Sequence, residues 1–530
     1  MFSSKPDELP SRANKTPRLR NTTALELFLA IVLLAVISLF TLRSLSHLGI
    51  WTDEAATILT AFGWPGLGEP VGGISDALGA TTKGNADVGG YTLGMWAWVT
   101  LLGESLASLR GYAIAWFIAY LLALIVLFRR VTRSWLLVIV GIALMLLENQ
   151  TLYYAAEIRP YGAGLASSVG IVVVALWFRD NPSGWRATAL VVTTLLLGSH
   201  IYVSIAILLG TAGFLAATSL DPDLHKAGRY WILGTVGLLI SYLPLIYVAT
   251  RNALEESGPP AHVMGLLLST QGADGVFEIL RTNFGSFTAL PRTLFLVLVP
   301  LLIARRWIPR SLKWSTDSRT LLIYLWVFVA VGTATSAALS VVGAIPWVLG
   351  TRWSITDVGL IAVSLAGLLG IVARLASQRK SVRVVIAWVA LAVTLVSAWR
   401  ITNYERPRGD DYISRLLPAI AQFEPNSVVI DKWILSDMRY LIEFSGRYTN
   451  LRESWLALRP RESGGSSSIG QREIEAFLDS EDSALVLDSR RALDESGITL
   501  PRSIELKDYW DDDSAIHVYM DYPILLLRNE

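Results

Sequence analysis

Cysteine is absent from all 530 residues, which excludes structural disulfides and thiolate metal sites and leaves the redox compartment unspecified. Charge is also scarce: charged residues make up 17% and balance to a formal net charge of +1. With no long basic block, this argues against a nucleic-acid partner. What the chain has in quantity is apolar surface, with 53% hydrophobic residues and a mean hydropathy of +0.48. That composition lies outside the soluble globular range and is that of an integral membrane protein. The 19 Trp and 18 Tyr suit a protein with many crossings of the lipid–water boundary, where amphipathic rings are favoured.

Residues 1–22 are polar, carry Lys5, Arg12, Lys15, Arg18 and Arg20, and show no apolar pattern. They read as a disordered cytoplasmic tail. The run from about Leu25 to Leu45 is too long for a signal-peptide core and lacks a small-residue cleavage pattern after it. It is therefore expected to stay as the first transmembrane helix, with its amino end inside. Residues 50–106 form a large first external loop, in which the apolar segment 91–102 is too short for a span and suits a re-entrant or interfacial helix.

Further spanning runs fall near 107–128, 134–147, 161–178, 187–198, 200–217, 230–249, 293–304, 320–339, 354–372 and 384–399. The expected fold class is thus a polytopic α-helical membrane protein of about eleven transmembrane helices, with a transmembrane catalytic domain over 23–403. The intervening inner turns carry Arg129, Arg130 and Arg133; Arg179 and Arg186; Lys226 and Arg229; Arg305, Arg306, Arg310, Lys313 and Arg319; and Arg374, Arg379, Lys380 and Arg383. That is the inside excess expected of short loops. The stretch 187–217 is read as two short helices around His200, the alternative being one long tilted helix.

After Trp399 the apolar runs stop. Residues 404–530 mix polar and apolar positions, with β-branched runs at Ser427–Asp431, Ala484–Asp488 and Ile516–Tyr519 and helix-compatible segments at 437–444 and 473–478. They are expected to form a small extracytoplasmic α/β domain, either a stabilising cap or part of acceptor binding.

Chemistry-bearing residues gather at the turns predicted to be external. Asp53 and Glu54 follow the first span, Asp87 lies later in the same loop, and a second apex runs Tyr153-Tyr154-Ala-Ala-Glu157-Ile-Arg159-Pro160-Tyr161. If that apex is helical, Tyr153, Glu157 and Tyr161 share a face by four-residue spacing. His200 and Tyr202 mark a third apex, and Thr351-Arg352-Trp353 a fourth. Singly, each arginine could be an interfacial snorkeller, His200 a packed histidine and Asp87 an ordinary loop acid. Their convergence on one membrane side is the stronger signal.

The order of these motifs resembles the GT-C superfamily of polytopic glycosyltransferases, in particular bacterial protein-mannosyltransferase and aminoarabinose-transferase relatives. The matching pieces are Trp51-Thr-Asp53-Glu54-Ala, Asn85-Ala-Asp87-Val-Gly-Gly-Tyr91 leading to Leu102-Gly-Glu-Ser-Leu-Ala-Ser-Leu-Arg110, Tyr154-Ala-Ala-Glu157-Ile-Arg159-Pro160-Tyr161, Ser199-His200-Ile-Tyr202 and Thr351-Arg352-Trp353. Together they cover about residues 20–400. The chain departs from the pattern at Val88-Gly89-Gly90, where many relatives have a histidine-proline-proline segment.

The resemblance implies an inverting transferase on the extracytoplasmic face of the plasma membrane. It would move a sugar from a polyprenyl monophosphate donor to a hydroxyl of an envelope polysaccharide, glycolipid or protein. Asp53 matches the position of the general base. Glu54 would orient Asp53 or bind sugar hydroxyls, and Asp87 would position the acceptor. Arg352 would clamp the leaving phosphate through its planar donor fork, while Arg159 would either join it or pair with a carboxylate. Tyr154, Glu157, His200 and Tyr202 would line the substrate pocket. No cofactor is fixed by these motifs. Asp53 and Asp87 carry the oxygen ligands a divalent metal would use. The competing readings are a transporter or flippase of a lipid-linked sugar and a non-catalytic membrane scaffold.

Overall fold

The computed structural model describes residues 24–47, 52–63, 72–81, 89–155, 157–198, 355–378 and 380–403. It also describes four strands within 427–528 and isolated positions at 233, 236, 237 and 479. The described helices are α1 (Ala24–His47), α2 (Thr52–Ala61), α3 (Ile74–Thr81), α4 (Gly90–Leu102), α5 (Leu106–Thr132), α6 (Trp135–Leu146), α7 (Asn149–Ala155), α8 (Tyr161–Asp180), α9 (Gly184–Gly198), α10 (Ile355–Gln378) and α11 (Lys380–Thr402).

The helix boundaries follow from local chemistry. Ser105 caps α5 by accepting a hydrogen bond from the Ser108 N–H at 3.2 Å, and α5 stops where Arg133 takes a left-handed conformation. Gly89 starts α4 at φ 88° and Gly103 ends it at φ 87°, backbone angles that only glycine adopts without strain. Gly89 of the Gly89-Gly90 pair thus has a backbone reason. Pro160 precedes α8 with φ −63°, where its missing N–H costs no hydrogen bond.

α5 and α8 pack most extensively on each other, and α10 lies against both. α11 packs on α6 and α1. The core is continuous through Phe117, Leu121, Leu124 and Phe128 of α5, Val138 and Ile142 of α6, Leu165, Val169 and Val172 of α8, and Ile361, Leu365 and Leu369 of α10. Packing is close at Gly141, where an added Cβ would stand 2.7 Å from the Phe128 ring and 2.9 Å from Leu369 Cδ1. α1 and α11 are covered on one side only. The first leaves Leu27, Phe28, Ile31, Leu34, Leu39 and Leu42 exposed, and the second Val384, Trp388, Leu395 and Trp399. Such apolar stripes suit contact with lipid or with further helices rather than with water.

The helices run through the bundle in a consistent sense. Arg43 Nη1 donates to the Thr402 carbonyl oxygen at 3.2 Å and the Ser397 hydroxyl to that of Ala143 at 2.7 Å. The carboxyl ends of α1, α6 and α11 therefore lie at one end. The amino ends of α5 and α8 join them there, through the contacts of Arg110 and Ile158 given below.

These helices correct the expected architecture of about eleven transmembrane helices with an α/β domain. Among the described residues, four segments have the length and apolar character to cross a membrane: Ala24–Ser44, Leu106–Thr132, Tyr161–Asp180 and Ser381–Thr402. Trp135–Leu146 and Ile361–Ser377 are apolar but shorter, and α9 has 15 residues. At about 1.5 Å per residue, the 12 residues of α6 fall well short of a hydrocarbon layer of about 30 Å. An apolar run marks burial, and burial against neighbouring helices looks the same in sequence as burial in lipid. The runs expected at 200–217, 293–304 and 320–339, and nearly all of 230–249, lie outside the described residues.

Two local expectations are corrected as well. Asp53 and Glu54 stand inside a helix, α2, rather than in an irregular loop, and α3 and α4 follow within the same 50–106 stretch. The second apex is not one continuous helix: α7 ends at Ala155 and residues 157–160 form a turn before α8. Tyr153, Glu157 and Tyr161 therefore do not share a helical face. Pro160 disfavours helical backbone at Arg159, within that turn.

In the carboxy-terminal region the described structure is a four-stranded sheet of β1 (Ser427–Ile430), β2 (Ser483–Leu487), β3 (Ile504–Asp508) and β4 (Ile524–Arg528), in the order β1-β2-β4-β3. β1 and β2 are parallel, and the other two pairings are antiparallel. The expected strands at 427–431 and 484–488 coincide with β1 and β2. The expected strand at 516–519 and helices at 437–444 and 473–478 lie outside the described residues.

Candidate functional site

The site begins with a charge that an apolar helix must place somewhere. Arg110 is the sole charged residue between 106 and 128, and it sits one turn inside α5 with no solvent exposure. An arginine buried in such a helix needs a partner, because leaving the charge uncompensated is costly. Glu54, also without exposure, supplies it from α2. Arg110 Nη1 donates to Glu54 Oε1 at 2.5 Å and Nη2 to Oε2 at 3.0 Å, a bidentate fork that fixes both side chains.

Glu54 holds a third segment. The Ile158 backbone N–H donates to Glu54 Oε1 at 2.8 Å, so one carboxylate ties α2, α5 and the turn between α7 and α8. These are the three segments that carry Thr52-Asp53-Glu54-Ala, Ser108-Leu-Arg110 and Ala156-Glu157-Ile-Arg159-Pro160. Positions 54, 110 and 158, distant in sequence, meet at one buried oxygen.

The residues flanking Ile158 are placed by this anchor. Glu157 is 1% exposed. Arg159 is half-buried; its Nη2 donates to Tyr161 Oη at 3.0 Å, and its guanidinium lies 5.2 Å from the Tyr161 ring centroid. Tyr154 is buried, with its ring 4.8 Å from that of Tyr161 and 5.2 Å from that of Tyr153. Beside them a second aromatic group ties α4 to α5. The Tyr112 ring packs at a tilt against Tyr91 at 5.0 Å and Trp98 at 5.6 Å, its hydroxyl donates to the Tyr91 carbonyl oxygen at 3.2 Å, and Trp98 Nε1 donates to that of Ser108 at 2.9 Å.

Of the residues singled out in the sequence, Glu54, Tyr154, Glu157 and Arg159 are brought to this end of the bundle. Asp53 belongs to α2 immediately before Glu54, but its side chain lies outside the description. Asp87, His200, Tyr202 and Arg352 lie outside the described residues. Among the described residues no three His, Asp or Glu side chains gather as a metal site. Arg110 is the functional residue that sequence reasoning passed over, although it stood inside a quoted motif. Its signal was available: a lone arginine in an otherwise apolar run.

No family model matches the chain, and no curated protein matches it. Among the described residues the chain is largely helical, with several apolar helices, four of them long enough to span a membrane.

Proposed function

We propose that this chain is a membrane-embedded, inverting glycosyltransferase that takes a sugar from a polyprenyl monophosphate donor. The observation that carries the reading is the Glu54 anchor. The acidic pair, the Arg110 segment and the Glu157-Ile-Arg159-Pro160 turn are the pieces of a motif order that resembles that of the GT-C superfamily, and one buried carboxylate gathers all three.

The anchor divides the acidic pair. Both Glu54 oxygens are engaged and buried, so Glu54 acts as a positioning residue and Asp53 is left for proton transfer. In the reaction, the acceptor hydroxyl oxygen attacks the anomeric carbon from the face opposite the phosphate. Its proton passes to the Asp53 carboxylate, and the bond between the anomeric carbon and the phosphate oxygen breaks. Polyprenyl phosphate leaves with the bond's electron pair, and configuration at the anomeric carbon inverts. Arg352 and Arg159 offset the charge that develops on the leaving phosphate, Asp87 positions the acceptor, and Tyr154, Glu157, His200 and Tyr202 line the pocket.

In this reading the chain lies in the plasma membrane with residues 1–22 cytoplasmic. The site end of the helices and residues 404–530 face outward, toward an envelope glycan, glycolipid or protein acceptor. The basic turns at the opposite end of the bundle support that orientation.

The test is sugar transfer by the purified chain in detergent, using a panel of polyprenyl-phosphate sugars and envelope glycan acceptors with mass analysis of products. Asp53→Asn is expected to lower transfer by at least about a hundredfold, the span of general-base catalysis, while donor binding persists. Wild-type turnover in that variant removes Asp53 from the base role. Movement of intact lipid-linked sugar across proteoliposomes, with no lengthened acceptor, replaces the transferase by a transporter.

A further inference from the structure

At the end of the bundle opposite Glu54, two turns are locked together. Arg130 pairs with Asp180, and its Nη2 reaches the Leu176 carbonyl oxygen at 3.5 Å, which joins the carboxyl end of α5 to that of α8. Arg186 Nη1 donates to the Trp177 carbonyl oxygen at 2.9 Å and folds the start of α9 back onto α8. The two turns carry Arg129, Arg130, Arg133, Arg179 and Arg186 against Asp180 as their one carboxylate.

Tryptophans stand among these cations. The Arg129 guanidinium lies 5.0 Å from the Trp135 ring centroid and that of Arg186 4.7 Å from Trp177. Trp177 and Trp185 meet edge to face at 4.6 Å. Trp135 and Trp185 are 46% and 63% exposed, although indole rings are among the most favourable side chains to cover.

Arg133 supplies an independent observation. It is exposed, and at φ 56° it is the one non-glycine residue with positive φ among the described residues. Its N–H closes α5 by donating to the Arg129 carbonyl oxygen at 2.9 Å. Glycine takes that helix-ending conformation more readily, so the backbone gains nothing from arginine here. What arginine adds is a cation at the rim of the joined turns.

We propose that these two turns bind the headgroup of an anionic phospholipid. Arg133, Arg129 and Arg186 meet the phosphate, and the exposed rings of Trp135 and Trp185 lie against the glycerol and upper acyl region. A free phosphate would use the cations but not the rings, whereas indole beside arginine at the ends of apolar helices matches the layered chemistry of a lipid surface. The inference rests on the chain spanning a membrane and is independent of the transferase reading.

The experiment is native mass spectrometry of the full chain in detergent with phosphatidylglycerol or phosphatidylcholine added, alongside thermal unfolding in lipid-free detergent. Wild type is expected to retain phosphatidylglycerol in preference to phosphatidylcholine. Arg133→Gly is expected to retain about fivefold less, the loss of one interfacial cation, while unfolding at or above the wild-type midpoint. Arg133→Lys is expected to restore most of the retention. Undiminished phosphatidylglycerol in Arg133→Gly overturns the proposal. So does a lowered midpoint in that variant, which would make Arg133 a structural cap, and so does displacement of the lipid by an equal concentration of inorganic phosphate.

Discussion

Glu54 and Arg110 show how one buried side chain constrains its neighbours. The carboxylate accepts from two arginine nitrogens and one peptide N–H, so each partner depends on the others for compensation of its charge. Replacing Arg110 by Ala strands the Glu54 carboxylate without its guanidinium and is expected to destabilise the fold by about 3–5 kcal/mol. Thermal unfolding in detergent reads this directly. Arg110→Met combined with Glu54→Leu removes both charges and is expected to recover most of the loss, because well-packed apolar residues replace a buried ion pair at little net cost. A double variant as unstable as Arg110→Ala would show that the pair's packing, not its charge, holds the three segments. At position 54 the sequence left orientation of Asp53 and binding of sugar hydroxyls equally open, because the groups that meet this side chain lie 56 and 104 residues away.

At the scale of elements, α4 is held to α5 by aromatic side chains and by a close approach at Gly94, where an added Cβ would come within 2.2 Å of Tyr112 Oη. Gly94→Ala is expected to push α4 outward at a cost of about 1–3 kcal/mol. Hydrogen exchange over 90–102 is the readout, and faster exchange there is the expected result. Gly170→Ala, in α8 with open space around it, is the matched control and is expected to be neutral or stabilising by up to about 1 kcal/mol.

The elements also show what the sequence discloses. α1, α5, α8 and α11 fall where their apolar runs predict them, since each run is long and bounded by arginines or turn residues. The helical state of Asp53 and Glu54 was hidden because the ten residues of α2 carry too little periodicity to announce a helix. In the sheet, β4 reads Ile524-Leu-Leu-Leu-Arg528. It lies between β2 and β3, and a continuous apolar run of that kind shows no period-2 alternation. β3 does alternate, Ile504 and Leu506 against Glu505 and Lys507, so its signal was legible and was passed over.

Across the whole molecule, the bonds linking helix ends separate two poles: Arg43, Glu54, Arg110, Ile158 and Thr402 at one, and Arg130, Asp180 and the α10–α11 turn at the other. Because the native chain has no cysteine, single cysteines can be introduced without prior removal of others. Asn181→Cys and Ser377→Cys are expected to react with a membrane-impermeant maleimide from one side, and Asn403→Cys from the other. Labelling of Asn181→Cys and Asn403→Cys from the same side would break this polarity. The Glu54–Arg110 fork then has a consequence for biogenesis. If α5 crosses a membrane, Arg110 is inserted with it, and its guanidinium meets the Glu54 carboxylate when the earlier-made α2 docks beside it. Until then the flexible stem holds the guanidinium up among lipid headgroups. Seating of the arginine would thus coincide with the joining of α2, α5 and the turn before α8 at one carboxylate.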